Sequence, residues 1–237
     1  MLTTERIVLL RNLEESIGVD FRNIETLSQA LTHSSYINEN HLLDQDNERL
    51  EFLGDAILKL TITEYLFTNY PEKKEGELSK LLAIWVSDQL LAKKAKELSL
   101  GSYMLFGKNE AANDGANIDS NLGDALESIF AAYYLDNGLE SAKQAIHSIY
   151  QPIFSLQEDL TFLKDYKTIL QEYTQTLGFG IPDYSLIETS GPDHNKTFLV
   201  EGKVTMEDRI VTKQATAKTK KAAEQATAKL ITEELKI

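Results

Sequence analysis

The chain has 237 residues, 42% of them hydrophobic and 26% charged, with 24 Lys and Arg against 37 Asp and Glu, a formal charge of −13 and no cysteine. This is globular composition, with length for one large domain or two modest ones; it excludes disorder, collagen-like repeats, a disulfide scaffold, Cys-type zinc sites and thiol catalysis. No run approaches the ~18 uninterrupted apolar residues of a membrane span, and Glu5, Arg6, Arg11, Glu14 and Glu15 interrupt the apolar positions of the N-terminal stretch, so a soluble, cytoplasmic protein is expected.

The excess of acid argues at first sight against a nucleic-acid partner, because phosphate binding usually shows as a basic balance. The charge is uneven, however. Residues 1–157 carry 13 basic and 24 acidic side chains, net −11, and the rest carry 11 and 13, net −2. Within the second part, residues 209–223 hold Arg209, Lys213, Lys218, Lys220 and Lys221 and no Asp or Glu.

In chain order, apolar periodicity predicts helices over 2–14, 24–35, 47–69, 77–98, 120–135 and 139–150. Breaks fall at Gly18, from Tyr70-Pro71 to Gly76, around Gly101 and Gly107, and at Asn137-Gly138. The stretch GKNEAANDGANIDSN (107–121) reads as a polar loop, and Pro152 to Asp159 reads as a connector. After Phe162 the pattern changes. A helix over 163–178 precedes three short runs of strand character, 183–189, 196–204 and 208–216, separated by turns at 190–195 and Met206-Glu207-Asp208, and an Ala- and Lys-rich helix over 219–235 follows.

The most informative stretch is NERLEFLGDAIL (47–58). At ~100° per residue, Glu48, Glu51 and Asp55 share one face, while Leu50, Leu53, Ile57 and Leu60 form an apolar stripe opposite. A second helix repeats the arrangement, with Asp124 and Glu127 opposite Leu122, Leu126, Ile129 and Tyr133. Like charges one turn apart repel. Two such faces brought together make sense if a divalent cation neutralises them. An all-oxygen set without His or Cys suits Mg²⁺, or Mn²⁺, rather than zinc or copper. An ion of that kind activates water and holds the charge of a scissile phosphate, so phosphodiester hydrolysis is the natural chemistry. The bland alternative is a solvated acidic face. Two details speak against it. Gly54 sits in mid-helix, where close approach of another backbone would explain it, and Phe52 points to the carboxylate side, away from the helix's own core. His33 reads as packing or capping.

These residues resemble the ribonuclease III family. NERLEFLGDAIL matches its signature, with ALTHSSY (30–36) upstream, EGELSKL (75–81) downstream and LGDALESIFAAYYLDNGLE (122–140) after it. DYKTILQEY (165–173), GPDHNKTF (191–198) and TKKAAEQ (219–225) resemble a double-stranded RNA-binding domain. The resemblance implies an all-α endonuclease domain at 1–157 and a small α-β-β-β-α domain at 163–235 that binds double-stranded RNA. It implies a homodimeric, Mg²⁺-dependent endoribonuclease acting on precursor ribosomal RNA and other structured transcripts and leaving 5′-phosphate and 3′-hydroxyl ends. Glu51, Asp55, Asp124 and Glu127 fall on the family's catalytic positions, with Glu51, Asp124 and Glu127 as metal ligands. Glu48 and Glu75 match accessory acids, and Phe52 matches an aromatic that enters a pocket of the other subunit.

In the second domain the resemblance places Thr168, Gln171 and Glu172 in one minor groove and His194 in the next. It puts Lys218, Lys220 and Lys221 on the intervening phosphates, with recognition by duplex shape. Two departures stand out. ANDGANIDSN (112–121) carries no basic residue where relatives have a Gly-rich, Arg-containing stretch, and Ala215 and Ala217 replace common glycines. Two other readings stand beside this one. One is an inactive regulator that binds duplex RNA. The other is a di-iron carboxylate bundle, disfavoured because neither acidic helix has a Glu-x-x-His pair.

Overall fold

A computed structural model describes residues 2–40, 45–155, 166–192, 196–207 and 209–237. The chain forms two compact units, Met1–Asp159 and Leu160–Ile237. The expected domain edges at 157 and 163 lie outside the described residues.

The first unit is helical: α1 (Thr4–Ile17), α2 (Ile24–Ala30), α3 (Ser34–Glu39), α4 (Glu48–Asn69), α5 (Glu75–Trp85), α6 (Asp88–Glu97), α7 (Lys108–Ala112), α8 (Asp119–Asn137) and α9 (Leu139–Phe154). Side chains of Thr3, Asn23, His33 and Ser87 accept backbone N–H bonds at the starts of α1, α2, α3 and α6, satisfying donors that a helix start leaves open. Two of these caps explain where the predicted helices break. The stretch 24–35 divides at Leu31–His33, where Thr32 bridges to Leu105, and 77–98 divides at Ser87. Neither break is marked by Gly or Pro, so periodicity alone runs through both.

The stretch 107–121 is not a plain loop. It holds α7 and a short 3₁₀ turn (Gly115–Asn117), and buried Asn121 ties them to α8 by donating to Glu110 Oε1 at 2.9 Å and the Gly115 carbonyl at 3.1 Å. Pro152 lies inside α9, not in a connector.

α8 runs through the middle of the unit, against α2, α4, α6 and α9. The sequence suggested a two-faced helix, but Asn121 to Gly123 and Ala125 to Ala132 are all buried, so neighbours cover the middle of α8 on all sides except at half-buried Asp124. α4 packs on it through Gly54, where an added Cβ would stand 1.9 Å from the Glu127 carbonyl oxygen. This contact rotates the buried line of α4 to Leu50, Gly54, Ile57, Leu58, Thr61, Ile62 and Leu66. The expected stripe is therefore only half right, since Leu53 is half-buried and Leu60 is exposed. Phe52, Leu60 and Phe67 instead form an exposed apolar line.

The second unit follows the expected order: α10 (Tyr166–Thr176), β1 (Asp183–Ser190), β2 (Thr197–Thr205), β3 (Ile210–Ala217) and α11 (Lys220–Leu235). The strands form an antiparallel meander, β1-β2-β3, with an irregularity between Leu186 and Glu188. One face of the sheet meets the helices through Leu170, Val204, Val211, Ala228 and Ile231, flanked by Tyr166, Tyr184, Met206 and Leu235.

Candidate metal centre and nucleic-acid surface

Each acidic helix offers its carboxylates from a fixed frame. Asp124 and Glu127 lie one turn apart on α8, and Glu51 reaches them from the first turn of α4, brought near by the Gly54 contact. One carboxylate oxygen from each of Glu51, Asp124 and Glu127 lies within 4.8 Å of the others. Asp55 stands beside this group rather than in it, paired with Lys59 Nζ at 2.7 Å. Glu48 is exposed at the start of α4. Glu75 lies on α5, lining a separate groove of about 390 Å³ with Leu66, Phe67, Leu78 and Leu82. Phe52 is 82% exposed.

The electrostatics are those of acids forced together. Burial, helped by the charges of Asp55, Glu51, Asp124 and Asp88, pushes the Glu127 carboxyl up to about 8. Burial also raises Glu51, aided by Asp124, Glu48 and Asp55. Asp124 is raised by burial and by Asp88, and His33 opposes the shift. Glu127 is only 8% exposed and makes no hydrogen bond or ion pair among the described residues. A buried carboxylate normally has a partner. Three convergent hard oxygen donors, one of them from the largely buried Glu127 with no partner among the described residues, fit a small divalent cation that keeps several waters. The sequence reading missed two contributors to this field. Asp88 opens α6, and Lys59 holds Asp55; both enter through tertiary or one-turn placement rather than through the signature's acidic spacing.

In the second unit, Thr168, Gln171 and Glu172 are exposed on one side of α10, opposite buried Leu170 and Thr174. Lys218, Lys220 and Lys221 are exposed at the start of α11, whose first turn is capped by Thr219 and carries no acid. Lys220 Nζ is 3.9 Å from Glu224. His194 lies outside the described residues.

A helical unit with a carboxylate centre, followed by an α-β-β-β-α unit with a basic helix start, defines a nuclease directed at duplex RNA. The ribonuclease-III-like family matches residues 23–153, and the double-stranded RNA binding motif matches residues 166–235. Ribonuclease 3 of Borreliella burgdorferi is 44% identical over 200 residues, covering 84% of this chain and 82% of the relative. Ribonuclease 3 of a Geobacillus species is 39% identical over 238 residues, covering 99% and 94%. The nuclease domain of ribonuclease III from Campylobacter jejuni, a structure concerned with flexibility in its dimer-forming region, matches with a TM-score of 0.56 and 40% identity over 60% of this chain and 96% of that one. The chain belongs to the ribonuclease III family of metal-dependent, double-stranded-RNA-specific endoribonucleases. No helix among the described residues is long and apolar enough to cross a membrane.

Proposed function

We propose that Glu51, Asp124 and Glu127 hold Mg²⁺, with Mn²⁺ as a substitute, and that Asp55 orients water at the same centre. The observation that carries this reading is the convergence of three carboxylates from two helices, with buried Glu127 lacking any other partner among the described residues. Bound there, the cation supplies positive charge for the scissile phosphate and acidifies water. Glu127 gives up its proton to bind it, which its burial alone resists, and burial shifts Asp124 in the same direction. Asp55, free to exchange Lys59 for water, accepts a hydrogen bond from the attacking water and aligns it. The water oxygen bonds to phosphorus as the bond to the 3′ oxygen breaks, leaving 5′-phosphate and 3′-hydroxyl ends.

The enzyme works as a homodimer in the cytoplasm on precursor ribosomal RNA and other structured transcripts. Phe52 of each copy enters the groove between α4 and α5 of the other; its exposure and the apolar lining of that groove support the fit. Glu48 and Glu75 act as accessory acids along the RNA path. Thr168, Gln171 and Glu172 meet one minor groove, His194 the next, and Lys218, Lys220 and Lys221 the phosphates between, where the start of α11 adds its own positive end.

Replacing Glu127 by Gln tests the centre. Cleavage of a long duplex in Mg²⁺ should fall below detection while duplex binding stays within a few-fold of wild type. Undiminished strand scission by the purified variant would sink the assignment.

A further inference from the structure

α4 meets the Glu127-Ser128 stretch of α8 on both sides of Glu51. At Gly54 the contact is one of bare approach, with the Glu127 carbonyl oxygen filling the space of a side chain. Before Glu51 the contact is directional. Ser128, which follows Glu127 on α8 and is fully buried, donates its hydroxyl proton to the Asn47 carbonyl at 3.1 Å. That carbonyl also accepts the Glu51 N–H at 2.9 Å, so its two lone pairs are divided between the first turn of α4 and a side chain of α8. The Asn47 N–H in turn donates to the Thr32 carbonyl at 3.0 Å. Ser and Thr inside a helix often turn the hydroxyl back onto a carbonyl of the same helix, as Thr61 does onto Ile57 at 2.8 Å. Ser128 instead reaches a residue 81 positions earlier in the chain, where α4 starts.

The two contacts do different things. Close packing limits how near the helices come, whereas a hydrogen bond has a preferred length and direction and so opposes sliding and rotation. The first turn of α4 needs such a hold, because Asn47 makes no side-chain bond to it and Glu48, Glu51 and Asp55 repel one another along one face. We propose that Ser128 is a positioning residue for Glu51, its hydroxyl bond to the Asn47 carbonyl setting the register of α4 on α8 and with it the reach of the Glu51 carboxylate to the cation. The inference rests on the reading of Glu51 and Glu127 as metal ligands. Ser128 thereby supports a ligand from outside the ligand set.

The test is Mn²⁺ binding to the full-length protein without RNA, measured by calorimetry well below the melting temperature of each variant, for wild type, Ser128→Ala, Ser128→Thr, Ser128→Val and Glu51→Gln. Ser128→Ala should weaken Mn²⁺ binding on the order of tenfold, the lower end for loss of an outer support. Thr and Val are close in shape and differ by the hydroxyl, so this pair separates loss of the donor from crowding at a buried position; Ser128→Thr should bind Mn²⁺ more tightly than Ser128→Val by a similar factor. Wild-type affinity in Ser128→Ala, whatever its melting temperature in EDTA, overturns the proposal and leaves the metal centre standing, because the bond would then serve stability alone. Equal affinities in the Thr and Val variants also overturn it. Absence of Mn²⁺ binding by the wild type, or full binding by Glu51→Gln, overturns the metal-centre reading and the proposal with it.

Discussion

At the scale of single residues, Glu127 sets the pH behaviour of the metal-free protein. Its folded-state pKa, about 8, lies above the ordinary 4.5, so folding favours the protonated form. An acid shifted this way contributes stability that is fully present below 4.5 and is lost as pH rises through about 8. Thermal unfolding in EDTA should therefore fall across that window. Glu127→Gln, which cannot ionise, should show a flatter profile, and Mg²⁺ should restore wild-type stability at the alkaline end. A wild-type profile as flat as the variant's would contradict the buried, unpartnered placement of this carboxyl. The three convergent acids were legible from spacing because two of them share a helix face and the third sits in a signature. Asp88 was not, since periodicity reads one element at a time and its charge acts on the centre from another helix.

The interlocking of α4 and α8 is an effect at the scale of elements. With an added Cβ only 1.9 Å from the Glu127 carbonyl oxygen, Gly54→Ala forces the helices apart. The expected loss is roughly 3 kcal/mol, the upper end for overpacking, read from denaturant unfolding in EDTA, with weakened Mn²⁺ binding because Glu51 moves away from Glu127. An ordinary Ala-for-Gly gain in helix stability would show that the contact yields. Gly54 also explains what sequence reading got right and wrong about α4. The glycine announces a close neighbour, but hydrophobicity does not count its side of the helix as core, so the apolar stripe it indicates runs through Leu53 and Leu60. The same limit hid the breaks before α3 and α6, where His33 and Ser87 cap helices without any Gly or Pro to mark them. The strands of the second unit, by contrast, were legible, because β-branched runs and polar turns alternate there at short range.

Across the whole molecule, the net charge of −13 conceals a division of labour. Acid gathers at the centre in the first unit, while Lys218, Lys220 and Lys221 stand exposed at a helix start in the second. Replacing Lys220 and Lys221 by Ala should weaken duplex binding across sequences and lower the slope of log affinity against log salt by about 2, roughly one for each lost phosphate contact. An unchanged slope would remove these lysines from the RNA path. Phe52→Asp should shift the protein to monomers in sedimentation while leaving its helix content intact; a persisting dimer would mean that another face joins the copies. The burial of the middle of α8 also sets the tempo of the centre. Amides from Asn121 to Ala132 are shielded by four neighbouring helices and should exchange with deuterium only when the whole unit opens. Asp124 and Glu127 should then sit on a slow-exchanging segment of the unit, and the motions that admit and release a duplex should fall to elements other than the one that carries them.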